Sequence, residues 1–129
     1  MIQDRRQLLI SILALMLSMS CAGCLYRYHN AACTQRGTAL QARVERLKRD
    51  AHEQLPIGTK KDAVKHFFQA NEIPVIFDGD EATGIFHAQG CAPSGCGSDS
   101  AEVRIGVGVD SNGTVVAEPV IRSMYADCL

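Results

Sequence analysis

Residues 102–109 read Glu102-Val103-Arg104-Ile105-Gly106-Val107-Gly108-Val109. Val103, Ile105, Val107 and Val109 fall on one side of a period of two, with Arg104, Gly106 and Gly108 on the other. Strict alternation of this kind is a strand with one buried face. Working outward, Asn112-Gly113 is a hairpin turn. Thr114 to Met124 follows as a last strand, which Pro119 restricts to an edge or a bulge because proline cannot donate to a ladder. Upstream, Ile73 to Phe77 and Thr83 to Ala88 read as two shorter strands around the turn Asp78-Gly79-Asp80. Gln89 to Ser100 is a loop rich in Gly, Ser and Cys.

Before the strands the period is helical. Leu40, Val44, Leu47 and Ala51 recur at spacings of four, three and four, one face of an amphipathic helix over Thr34 to Leu55. Pro56 ends it. Gly58-Thr59 turns into a second helix, with Thr59 as its cap and Asp62 three residues on in a capping-box position. Ala63, Val64, Phe67 and Phe68 supply its buried face, and Asn71 stops it before Pro74. Two helices followed by a four-stranded antiparallel meander, one face covered by the helices, is an α+β plan. The core is built mainly from Val, Ile, Leu and Phe, since the 129 residues include no Trp and only 5% aromatics.

The amino terminus has a different character. Arg5 and Arg6 precede an apolar run from Leu8 to Leu17, and Ser18, Ser20, Ala22 and Gly23 follow. Positive, apolar, then small is the layout of a secretory signal, and the run is shorter than the ~20 residues of a membrane-spanning helix. Ser20-Cys21-Ala22-Gly23-Cys24 resembles a lipobox, where bacterial lipoproteins are acylated on cysteine and cut just before it. Ala22 and Gly23 suit the two places before Cys24, and Cys21 stands where that motif usually has leucine. Cys24 is therefore the expected lipidation site and Cys21 its rival. This divides the chain into a signal peptide (1–23), a lipid-anchored tether (24–33) and a small domain (34–129). Leu25 after the acylated cysteine, in place of aspartate, implies the outer membrane, facing the periplasm.

Removing Cys21 and committing Cys24 to lipid leaves Cys33, Cys91, Cys96 and Cys128. An even number suits disulfides in an oxidising compartment. Cys91 and Cys96 are close enough in sequence to staple their own loop, and Cys33 with Cys128 would then bracket the domain. Four cysteines allow three connectivities, so this pairing is an expectation.

Charge is unevenly spread. Cys24 to Glu72 holds nine Lys/Arg against five Asp/Glu, and Ile73 to Leu129 holds two against eight. The basic helical half suits anionic headgroups near the anchor, and the acidic sheet half suits a basic partner. No catalytic constellation emerges. His29, His52, His66 and His87 lack metal-ligand spacing, and G-x-S-x-G and phosphate-loop patterns are missing. Asp110-Ser111-Asn112-Gly113 lacks the later glutamate of a calcium loop. No basic and aromatic interleaving on a strand points to nucleic acid. No cofactor or metal is expected.

The order of a lipidated cysteine, then Gly58-Thr59-Lys60-Lys61-Asp62-Ala63-Val64 opening a helix, then a β meander resembles the small outer-membrane lipoproteins of the SmpA/OmlA (BamE) type. Gly58 and Val64 match that family's motif. Thr59 sits one place early, and Phe67-Phe68-Gln69-Ala70 stands in the region of its Leu-Gly-x-Pro. Members of that family are non-catalytic accessory proteins of β-barrel assembly, and the resemblance implies a similar fold. The anchor, the disulfide-stapled small domain and the missing catalytic constellation lead to the expectation of a non-catalytic envelope lipoprotein that binds another protein. The alternative is an immunity or inhibitor lipoprotein that blocks a toxin or lytic enzyme, using the acidic sheet and the loop of Cys91 and Cys96.

Overall fold

The computed structural model describes residues 31–93, 96–126 and 128. The expected signal peptide, Cys21, Cys24, most of the tether, His29, Ser94 and Gly95 lie outside the described residues. The chain forms two compact units, Met1–Gln35 and Arg36–Leu129. Of the first, residues 31–35 are described and are helical.

The architecture is α+β, with two helices preceding a four-stranded antiparallel sheet in the order β1-β2-β3-β4. Helix α1 covers residues 31–54. Its buried stripe is Leu40, Val44, Leu47 and Ala51, continued by Leu55. Helix α2 is Lys61–Ala70, burying Val64, Phe67 and Phe68. The rings of Phe67 and Phe68 meet edge to face at 5.5 Å. The strands are β1 (Val75–Asp78), β2 (Glu81–Gln89), β3 (Ser100–Gly108) and β4 (Val120–Tyr125). Val103, Ile105, Val107 and Val109 are buried, as their alternation requires.

The α2 termini show how local chemistry sets boundaries. Thr59 does not cap the helix: its hydroxyl donates to the Pro56 carbonyl at 2.7 Å, and the cap position belongs to Lys60, with no side-chain cap bond. At the other end Asn71 donates from Nδ2 to the Phe67 carbonyl at 2.8 Å. Glu72 then adopts φ 57°, a left-handed conformation normally left to glycine. Its amide donates to Gln69 O at 3.0 Å and that of Ile73 to Phe68 O at 2.9 Å. These two bonds are a Schellman close, which satisfies the orphan carbonyls of the last turn. Ile73 is thereby the buried residue closing α2, and β1 starts only at Val75.

Two turns shape the sheet. Asp78 pairs with Glu81, leaving a two-residue loop in which Gly79 has φ 58°. Glycine with positive φ at the first loop position matches the twist of the flanking strands. After β3, the Asp110 carboxylate accepts from the amides of Asn112 (2.9 Å) and Thr114 (2.8 Å), so this aspartate serves the turn. The last strand is shorter than its sequence suggests. Residues 114–119 leave the sheet except for a bridge between Val109 and Val115, and β4 begins just after Pro119. Val115 is buried and bonds elsewhere: its amide donates to Thr59 O at 2.9 Å, and the Gly58 amide donates to its carbonyl at 2.8 Å. This ties the segment to the turn between the helices.

Candidate functional site

The cysteines and the loop 90–99 form the first cluster. Cys96 is bonded to Cys128, and the two are also antiparallel bridge partners just beyond the ends of β3 and β4. Cys33 and Cys91 are in disulfide linkage as well. All four expected cysteines are thus oxidised, but Cys91 is not joined to Cys96, nor Cys33 to Cys128. The reason lies in the sheet register, which carries residue 128 back alongside residue 96. Cys91 is held instead at the start of the loop, its amide donating to the Tyr125 hydroxyl at 3.1 Å, with its Cβ against the backbone of Gly37 in α1.

Asp99 organises this loop. Its backbone carbonyl accepts from Gly90 N at 2.8 Å. One carboxylate oxygen accepts from Ala92 N at 3.0 Å, and the other pairs with Arg36 of α1 at 3.2 Å. Both side chains are partly exposed, so the ion pair contributes little by Coulomb attraction. Its effect is to fix the loop's path onto α1.

The second cluster is the outer sheet face, which neither described helix covers. Arg104 and Arg122 are cross-strand partners in β3 and β4, and they are the only Lys/Arg between Ile73 and Leu129. The two cations of the acidic half therefore share one rung. The sequence assigns this half to a basic partner; the register adds two cations to its outer face, alongside Glu81 and Glu102. Beside them runs an open trough of about 430 Å³, lined by Glu81, Arg104, Gly106, Val120, Arg122 and Met124. Glu81 reaches Arg104 at 3.3 Å, with its carboxylate lying over the bare Cα of Gly106. Arg122 has no acidic partner among the described residues. Ile76, Ile85, Val120 and Met124 leave substantial apolar surface on this same face.

The helical side carries the basic residues. Arg43 stacks over Phe86 at 4.1 Å and Lys61 over Phe77 at 4.7 Å, so both cations cover rings at the core margin. Arg46 and Arg49 are exposed, and Lys48 pairs with Glu45. A second hollow of about 370 Å³ lies between α1 and the end of α2, beside Arg43, Arg46, Asp50 and Glu72.

His52, His66 and His87 are exposed on three different elements. Among the described residues, no group of three His, Cys, Asp or Glu could hold a metal ion. None of the described helices is long and apolar enough to cross a membrane. The Arg104–Arg122 rung carried no signal in the linear sequence, because two arginines 18 positions apart become neighbours only when the β3–β4 register is known. No family model, no curated protein and no solved structure matches the chain.

Proposed function

We propose that this chain is a non-catalytic lipoprotein of the bacterial envelope. It is acylated on Cys24, faces the periplasm from the outer membrane, and binds another protein there. The observation that carries this reading is that all four cysteines after Cys24 are in disulfide linkage. Disulfides persist in exported proteins and are rare where thiols are kept reduced. An even set after Cys24 also favours it over Cys21, which would leave Cys24 as an odd thiol. The exposed Arg46 and Arg49 of α1 supply positive charge on the half nearest the proposed anchor.

The test is the intact mass of the protein recovered from membranes of a Gram-negative host. The reading requires an amino-terminal Cys24 carrying acyl chains. An acylated Cys21, or an unprocessed leader, refutes the assignment. Pull-down from the same membranes is expected to recover one partner protein. The inhibitor reading keeps one observation in its favour: residues 90–93 and 96–99 are held by Asp99 and by two bonded cysteines. Segments held in this way bind with less ordering cost. A neighbouring gene for a secreted toxin or lytic enzyme would select that alternative.

A further inference from the structure

The sheet has two edges, and they differ. At β1 the edge is four residues long and Pro74 immediately precedes it. Short length and proline are the usual protections of an exposed edge. The other edge, β4, is six residues long, contains no proline or lysine, and among the described residues has only β3 as a sheet neighbour. Its far end is tied down by the Cys96–Cys128 bridge. This leaves a row of backbone donors and acceptors fixed in extended form.

The outward side chains of β4 are Val120, Arg122 and Met124. Val120 and Met124 are 51% and 56% exposed. Arg122 lies between them, facing Arg104 across the rung with no acidic ion-pair partner among the described residues. Like charges directly opposite are destabilising, and opposite charges in adjacent strands are stabilising. The neighbouring rung shows how the same surface accepts a carboxylate, since Glu81 lies over Gly106 and reaches Arg104.

We infer that the open edge of β4 receives an extended strand of a partner protein, with Glu or Asp opposite Arg122 and an apolar residue two places to either side. In an added antiparallel strand, residues two apart share a face. An acid opposite Arg122 therefore brings its flanking apolar residues onto Val120 and Met124. Main-chain bonds supply affinity in this mode and the alternating side chains supply selection. A second copy of this chain is the poorer occupant, because β4 paired on itself sets Arg122 against Arg122, Val120 or Met124 according to register, and residues 120–125 contain no acid to face it. The inference rests on the proposed protein-binding role and specifies its surface.

The test uses the full chain, isotope-labelled and purified from membranes in detergent. It is titrated with the capped peptide Thr-Val-Thr-Glu-Thr-Val-Thr and with its counterpart carrying Lys for Glu. Saturable shifts confined to the amides of residues 120–125 are expected, with about tenfold weaker binding of the Lys peptide. Arg122→Glu is expected to reverse that preference, which also shows that the variant is folded. Shifts elsewhere, no shift, or no charge preference overturn the inference, as does a dimer that already protects these amides. The membrane pull-down separates the two claims. A partner recovered equally by wild type and Arg122→Glu overturns the edge assignment and leaves the protein-binding role standing. A charge-selective peptide response with no partner recovered from membranes supports the edge and counts against that role.

Discussion

Phe68 of α2 lies in the space that a side chain on Gly84 of β2 would fill. An ideal Cβ at Gly84 would come within 2.7 Å of Phe68 Cδ1 and 2.8 Å of Ile73 Cγ2. Gly84 pairs with Val75 on one side and Ile105 on the other, so this is the middle of the sheet. The ring seats directly on backbone, which sets how closely α2 approaches. Gly84→Ala is therefore expected to lower unfolding free energy by about 1–3 kcal/mol through overpacking. Phe68→Leu in the same chain should recover part of that loss, so the two substitutions are expected to be non-additive in denaturant titrations.

Glu72 holds a left-handed backbone that L side chains enter at a cost. Glu72→Gly is expected to stabilise the domain by about 0.5–1 kcal/mol, net of the larger freedom glycine has when unfolded. Glu72→Ala keeps a Cβ and should show no such gain. Chemical denaturation of the three proteins side by side checks both statements.

The Cys96–Cys128 bridge closes a loop across a separation of 32 residues. Constraint of the unfolded chain by such a loop contributes roughly 3–4 kcal/mol in the chain-entropy account. The double substitution Cys96→Ser with Cys128→Ser is expected to lose about that much. Non-reducing peptide mapping should find Cys96 and Cys128 in one linked fragment. Recovery of Cys91 linked to Cys96 would contradict the pairing.

Asp99→Ala removes the acceptor for Ala92 N and the partner of Arg36. A hydrogen bond to a carboxylate and a half-exposed ion pair together suggest a loss of about 1–2 kcal/mol. The more specific readout is hydrogen exchange. The Ala92 amide should exchange much faster in Asp99→Ala, while amides of β3 away from the loop change little.

Much of the fold was legible because its signals are local. The alternation at Val103, Ile105, Val107 and Val109 and the stripe from Leu40 to Ala51 each state a period and a buried face. Elsewhere a local signal had a rival that only the folded chain decides. Thr59 looked like a cap, but its hydroxyl is taken by Pro56 O. The stretch from Thr114 looked like one strand, yet Val115 is drawn away by the backbone of Gly58 and Thr59. Disulfide pairing and the Arg104–Arg122 rung are products of register, and register depends on turns and bulges distributed over the whole sheet. The oxidised state of the four cysteines followed from their number, while their connectivity did not.

The bonds between Val115 and the 58–59 turn also bear on how this protein is engineered. By its sequence, Pro56-Ile57-Gly58-Thr59 resembles a surface loop suited to a tag or an inserted domain, and the Ile57 side chain is 66% exposed. Its backbone, however, is committed to a segment more than 50 positions away. Tolerance to insertion follows the bonding of the backbone rather than the exposure of a side chain. Ile57 is thus a permissive place to exchange one side chain for another and a poor place to lengthen the chain. The exposed Gly79-Asp80 tip is bound by the same rule, since the Asp80 carbonyl accepts from Val109 N at 2.8 Å, so it too suits a side-chain label rather than an inserted segment.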